Sequence, residues 1–444
     1  MGLSSRARRP ARTAQARWTV VAVAVLLLTA LVWLAQGPHG TFCHPPVAQL
    51  ATLELQRELL VRSVTDRGQL GSCKPGNETE RLPELQSVRV LRSAAARGPR
   101  AVTLVTQLSL NRLAMLENQC RAHRGPIAAV VYVAVVQPAG TVLCPEATHL
   151  DGRPLQAAVD AVLAFHGRME AEPGACALDL QLVAESFDQA EVDEVAGLYP
   201  FNAVRNRALM LAQTEIIFIL DVDFVPSMSF GEELASDPAA YGSLLAQVRQ
   251  GRLLVVPAFE TAETAPGPGR EVVMAAVAGG KPWVAEAFQT GVLAGFQVSG
   301  FGHGHNSTDY PRWMDPETQE PYRIQYKKGF EPYVVALRQA IPWYDERFRG
   351  YGRDKITHLL HISTLPLEFH VHPSAFVIHV PHKKAATYKA TKQSTQWNYL
   401  YRLFQETQIQ ILRKEWSPTT AFSEACSLVR RGGDLAAILA PLLQ

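Results

Sequence analysis

Asp221-Val222-Asp223 closes an uninterrupted apolar run, Ile216-Ile217-Phe218-Ile219-Leu220. Two carboxylates one residue apart at the end of a buried strand can share a hard divalent cation, and such a cation can grip a diphosphate. The position fits that chemistry, because ligands of α/β proteins collect at the carboxyl ends of the strands. A second chemistry fits the same letters. Phosphatases of the haloacid dehalogenase kind also end a strand in Asp-x-Asp-x-Thr/Val, a pattern that Asp221 to Val225 satisfies, and there the first aspartate is a nucleophile. That fold normally opens on this strand, whereas here a long α/β-patterned stretch comes first.

The second half carries the other reactive residues. Phe376-Val377-Ile378-His379 ends a strand-like run and is followed by His382, Lys383 and Lys384. A neutral His379 imidazole would complete the cation's ligands, and the lysines would neutralise a departing diphosphate. Between Tyr344 and Lys355 lie Asp345, Glu346 and Asp354, the candidates to deprotonate an incoming hydroxyl; Asp354 also reads as a helix N-cap. Glu331 sits among Phe330, Pro332 and Tyr333, where burial would raise its pKa. It reads either as a hydroxyl binder or as part of a structural network. His303 and His305 have metal-ligand spacing, but without a third ligand nearby surface histidines fit better. Trp313 and Tyr322 offer rings to a sugar face or, equally, to the core.

Strands and helices must alternate to position these groups. The patterning predicts strands at 101–106, 127–136, 178–183 and 253–258, besides the Asp221 strand. Helices are expected at 109–121, 156–168, 202–214 and 356–365, and a Pro- and Gly-rich loop at 264–270. Such alternation implies a mostly parallel sheet covered on both faces.

The whole chain has 444 residues, of which 47% are hydrophobic, ample for a sizeable core. Lys plus Arg number 43 against 41 Asp plus Glu, so no nucleic-acid partner is implied. The amino terminus is different. Residues 1–18 hold five arginines and no acid, and 19–36 is an apolar segment that reads as a retained transmembrane signal anchor with a cytoplasmic basic tail. Residues 37–86 then form a lumenal stem, with a helix at 49–64 suited to self-association as a homodimer. A catalytic body over 87–425 follows, donor half to about 262 and acceptor half after, with a C-terminal segment at 426–444. Sequons at Asn77 and Asn306 and an even count of six cysteines suit an oxidising lumen.

Taken in order, several motifs resemble glycosyltransferase family 49, which includes a β-1,4-glucuronyltransferase and the second catalytic domain of the LARGE-type polymerase. They are Val102 to Ser109 with Arg112-Leu113, Gly125-Pro126-Ile127, and Tyr199-Pro200-Phe201-Asn202 with Arg205-Asn206. Leu220 to Pro226 comes next, then Gly304-His305 with Thr308, Tyr310 and Trp313, and Phe330 to Val335. Tyr344 to Phe348 with Gly352, and Ile378 to His382, complete the set. The resemblance implies a GT-A fold, type II Golgi topology, Mn²⁺ (or Mg²⁺) dependence and inverting transfer from a UDP-sugar, with glucuronic acid the expected sugar and a glycan the acceptor. Carried over by position, Asp221, Asp223 and His379 are the metal set. Arg205 and Asn206 lie beside the donor, and Thr106, Gln107 and Arg112 line its uridine end. His305, Trp313, Glu331 and Tyr333 are expected on the acceptor side. Asp354 departs from the family, where Asn is expected, which leaves the base open among Asp345, Glu346 and Asp354. With a single catalytic domain, no bifunctional polymerase is expected in this chain. A non-catalytic glycan-binding member of the fold is the alternative, and the intact acids and His379 argue against it.

Overall fold

The computed structural model describes residues 82–421 except 96, 97, 99, 138–142, 145, 146, 190, 193–196, 384 and 385. The basic tail, the apolar segment, the stem with Asn77, Cys43 and Cys73, Lys384, and the C-terminal segment with Cys426 lie outside the described residues. Among the described residues, no helix is long and apolar enough to cross a membrane.

The strands in chain order are β1 (Gln86–Leu91), β2 (Val102–Ser109), β3 (Pro126–Val136), β4 (Thr148–His149), β5 (Ala177–Phe187), β6 (Ile216–Ile219) and β7 (Phe224–Pro226). There follow β8 (Arg252–Val256), β9 (Ala258–Thr261), β10 (Leu293–Gly295), β11 (Tyr322–Arg323), β12 (Tyr333–Leu337), β13 (Glu368–Val371) and β14 (Val377–His379). The helices are α1 (Leu113–His123), α2 (Leu155–Ala171), α3 (Phe201–Leu211), α4 (Met228–Ser236), α5 (Pro238–Arg249) and α6 (Pro266–Gln289). After them come α7 (Val298–Phe301), α8 (Tyr310–Met314), α9 (Asp354–Ser363), α10 (Ala386–Gln393) and α11 (Gln396–Leu412).

The main sheet runs β1-β5-β3-β2-β6-β12-β8-β13-β11, with β4 on β3. Its parallel heart is β5, β3, β2 and β6. These strands are buried on both faces, and their near-continuous Val, Ile, Leu and Ala content follows from that burial. Helix α3 packs on the face made by β2 and β3, and α2 lies on β5. The sheet is mixed rather than parallel throughout: β1 and β12 run antiparallel to their neighbours. Strand β12, from the second half of the chain, inserts between β6 and β8 of the first. The two halves therefore share one core.

A second sheet, β10-β9-β14-β7, sits at the site. Strand β7 begins immediately after Asp223 and pairs antiparallel with β14, register His379 to Phe224. This register, and not sequence proximity, brings His379 beside the Asp-x-Asp turn. The Val380 amide also donates to the Asp223 carbonyl at 2.8 Å.

The predicted strands and helices are present with shifted ends, save one segment. The Pro- and Gly-rich stretch 264–270 is not all loop, because α6 begins at Pro266. Proline is tolerated in a first helical turn, where its missing amide would have no intrahelical partner. The helix is broken further on at Gly280 (φ 71°), just before Pro282. Cys120 at the end of α1 is bonded to Cys176 before β5, and among the described residues no cysteine is free.

Candidate metal and donor site

Strand β6 delivers Asp221 and Asp223 to a turn at the carboxyl end of the parallel strands. The Leu220 amide still bonds to Val105 of β2, so the turn starts where the ladder stops. Gln119 of α1, fully buried, fixes its shape by donating through Nε2 to the carbonyls of Asp221 (2.9 Å) and Phe224 (2.8 Å). The adjacent Cys120 disulfide ties the same turn of α1 to the start of β5.

The two aspartates have different surroundings. Asp223 faces His382, whose Nε2 lies 3.1 Å from Oδ2, and it is paired with Arg112. His379 Nε2 approaches His382 Nε2 at 3.3 Å. One ligand atom from each of Asp223, His379 and His382 lies within 4.8 Å of the others. Nδ1 of His382 lies 2.7 Å from the Lys383 carbonyl, an acceptor, and 3.3 Å from Arg112 Nη2, a donor. With Nδ1 protonated towards the carbonyl, the Nε2 lone pair of neutral His382 faces the Asp223 carboxylate and His379, an arrangement that a proton or a metal cation would satisfy. Burial lowers the His379 pKa to about 4, which keeps this imidazole neutral. The bond to Asp223 raises that of His382. A carboxylate with two imidazoles is a donor set for a divalent transition-metal cation more than for Mg²⁺, whose sites are built from oxygen. The backbone carbonyl on Nδ1 is the usual partner of a ligating histidine.

Asp221 lies outside this set. Its Oδ2 accepts from Lys355 Nζ at 2.9 Å and Tyr333 Oη at 3.1 Å, and its Oδ1 from Arg205 at 3.2 Å. Burial opposes its ionisation, but the Lys355 and Arg205 charges outweigh burial and hold the carboxyl well below the usual range. Arg205 is itself enclosed, 7% exposed at the side chain and paired with Asp354. Lys355 Nζ also stands 3.6 Å from Glu331, whose side chain keeps 20% exposure and whose pKa burial raises.

The remaining expected residues sort by burial. Thr106 and Gln107, at the end of β2, are buried with Oγ1 and Oε1 unpartnered, two acceptors beside the Asp-x-Asp turn. Arg112 stands at Asp223 and 3.3 Å from His382, beside the cation set instead of at a distant base pocket. Asn206 is a staple: Nδ2 donates to the Tyr344 carbonyl and to Glu346, and Oδ1 accepts from the Tyr344 amide. Glu346 is buried and also accepts from the Ala421 amide, while Asp345 is buried and gripped by Arg347. Asp354 is the first residue of α9, not its cap, and pairs with Arg205. None of these three acids presents a free carboxylate to an incoming hydroxyl.

On the expected acceptor side, Trp313 is fully buried, packed on Phe259 and Phe376 with Nε1 donating to the His372 carbonyl, so it offers no face to a sugar. Tyr322 likewise ends on the Thr308 carbonyl. His305 is buried against Phe296 and Tyr333, its pKa lowered by burial to about 3. Tyr333 serves Asp221. Asn306 is exposed, as a glycosylated asparagine must be, and Lys383 is exposed beside His382.

Sequence reasoning missed three residues. Lys355 lies 134 positions from Asp221, Gln119 is an ordinary helical glutamine, and His382 appeared only as a neighbour of His379. The Nδ1 contact of His382 exists only in the folded loop.

Fold and site together define an α/β protein with a candidate cation site at its strand ends. Residues 101–417 match the family described as "Glycosyl-transferase for dystroglycan", and the chain belongs to that family, glycosyltransferase family 49. It is 34% identical over 288 residues to xylosyl- and glucuronyltransferase LARGE2 of Rattus norvegicus, covering 64% of this chain and 35% of the relative. To LARGE1 of Homo sapiens it is 28% identical over 322 residues, covering 72% and 36%. The chain thus spans about a third of the length of these curated relatives. Among solved structures, S. aureus TarS 1–349 aligns over 76% of this chain and 89% of that one, at 8% identity and a TM-score of 0.32.

Proposed function

We propose that this chain is a metal-dependent inverting glycosyltransferase of the GT-A type, moving glucuronic acid from its UDP conjugate to a glycan acceptor. The observation that carries the reading is the convergence of Asp223, His379 and His382 at the end of the Asp-x-Asp strand. These three would hold Mn²⁺, which when bound neutralises the diphosphate of the donor and its leaving group. Arg112 and Lys383 add positive charge beside it. Thr106 and Gln107 offer unpartnered acceptors to the nucleoside end. For the donor carboxylate, Lys355, 21% exposed at the side chain, is the cation in reach in place of Arg205, 7% exposed.

Glu331 replaces Asp345, Glu346 and Asp354 as the general base. It is the acid of the site with part of its side chain open and with a pKa raised by burial, toward the value a base needs at neutral pH. Transfer then requires the ionised form. Activity should rise with pH through a value above the ordinary glutamate 4.5. A Golgi lumenal setting, with 19–36 as the anchor and glycans on Asn77 and Asn306, belongs to the same proposal.

The test is Mn²⁺-dependent UDP release from a panel of UDP-sugars, with and without simple xylosides and glucuronides. UDP-glucuronate with Mn²⁺ should be the productive pair. Glu331→Gln should lower kcat by about 10²–10⁴ and erase the acidic limb of the pH profile. An unchanged limb in that variant removes Glu331 from the role, and failure of every UDP-sugar to bind or turn over removes the transferase reading.

A further inference from the structure

Helix α1 reaches both halves of the candidate cation site through two neighbouring side chains that take no part in the chemistry. Gln119 donates to the Asp221 and Phe224 carbonyls and so fixes the turn that carries Asp223. Asn118, 3% exposed, serves another element. Its Oδ1 accepts from both Nε (3.1 Å) and Nη2 (2.7 Å) of Arg270, near the start of α6 and 152 positions away. Successive residues of a helix project about 100° apart, which lets one turn of α1 hold two elements at once.

Gly269, the neighbour of Arg270, is where α6 meets the histidine loop. A Cβ there would stand 2.6 Å from Pro381 Cγ and 2.8 Å from the Glu263 carbonyl oxygen, closer than packed atoms come. Pro381 lies between His379 and His382, and without an N–H it has no amide bond to donate. The preceding amide, of Val380, is anchored on the Asp223 carbonyl. Beyond that point the chain toward His382 rests by contact on Gly269. Helix α6 continues against β14 and β7, and α1 packs against β7 as well. A Cβ on Gly267, two residues earlier, would meet nothing within 4 Å, so the crowding belongs to position 269 and not to the whole turn.

We propose that Asn118, Arg270 and Gly269 are positioning residues of the cation site: they refer the loop bearing His379 and His382 to the same turn of α1 that holds Asp223. The separation of the ligands, with His382 Nε2 3.1 Å from Asp223 Oδ2, is then set by helix-to-helix contact. A cation needs its donors within about 0.2 Å of their places, so a loop pushed aside by one methyl group binds it poorly. The inference rests on the reading of Asp223, His379 and His382 as a cation site and adds the residues that hold them apart.

The experiment is Mn²⁺ titration of the full-length protein with UDP, followed by electron paramagnetic resonance, together with crystal structures grown without metal. Alanine suits a helix better than glycine does. Even so, Gly269→Ala should weaken Mn²⁺ binding by about 10- to 100-fold and lengthen the His382–Asp223 separation in the crystal. Gly267→Ala, the control, should leave both unchanged. Arg270→Ala, at an exposed position, and Asn118→Leu should each weaken Mn²⁺ by about tenfold. Asn118→Asp keeps an acceptor for Arg270 and should retain wild-type affinity. Wild-type affinity in Gly269→Ala, an equal loss in Gly267→Ala, or an unmoved loop in the Gly269→Ala crystal overturns the proposal. Wild-type affinity in both Arg270→Ala and Asn118→Leu does the same. A displaced loop in Gly269→Ala, with no Mn²⁺ bound by the wild type, leaves the brace standing and sinks the cation reading alone.

Discussion

At the residue scale, two aspartates that look equivalent in the sequence do different work. Asp223 faces two imidazoles, while Asp221 is neutralised by Lys355 and Arg205 beneath them. The Asp-x-Asp spacing was legible because a buried strand ending in acids is rare without a ligand to hold. The division of labour was not, since it depends on cations 16 and 134 positions away. The partners of the acids expected as bases were hidden for the same reason. Each lies in a motif of the right character, yet folding gives each a partner: Arg347 for Asp345, Asn206 for Glu346, Arg205 for Asp354. Asp354→Asn is the informative substitution. It leaves Arg205 with Asp221 as its remaining carboxylate partner and should cost about 3 kcal/mol of stability, as expected when one member of a buried pair is removed. Turnover should survive, within about tenfold, because the proposed base is Glu331 and not this carboxyl. Denaturation and kcat measured on the same preparation check both halves.

At the element scale, the site is where two sheets meet. Strand β6 brings the aspartates, β14 brings His379 through its register with β7, and α9 brings Lys355. Alternating patterns located the parallel strands because burial on both faces keeps them mostly apolar, although β5 carries Asp179, Gln181 and Glu185. The small sheet was less visible, its strands of three or four residues being too short for any period to show. Helix α6 was hidden by prolines and glycines that normally mark a loop. Helix α1 holds the turn through Gln119, and Gln119→Ala frees two buried carbonyls at once. That variant should lose about 2 kcal/mol of stability and bind UDP with Mn²⁺ more weakly. Thermal unfolding with and without both ligands reads the two effects.

At the scale of the whole molecule, the described residues 82–421 form one interleaved α/β body, because β12 of the second half pairs with β6 and β8 of the first. Donor and acceptor halves are therefore stretches of sequence, not separate bodies. The Cys120–Cys176 bond closes a 56-residue separation across that body. Replacing both cysteines with serine should cost on the order of 4 kcal/mol by chain entropy, read as a lower Tm. The family was legible because many short motifs kept their order, and order is set by the fold as a whole. The central claim is that Asp223, His379 and His382 form the cation site, with Asp221 in a supporting layer. Titration of Mn²⁺ in the presence of UDP, followed by electron paramagnetic resonance, tests it most directly. Asp223→Asn and His382→Ala should each abolish tight Mn²⁺ binding, while Asp221→Asn should keep it within about tenfold of wild type. Full Mn²⁺ affinity in His382→Ala, with complete loss in Asp221→Asn, would contradict the account.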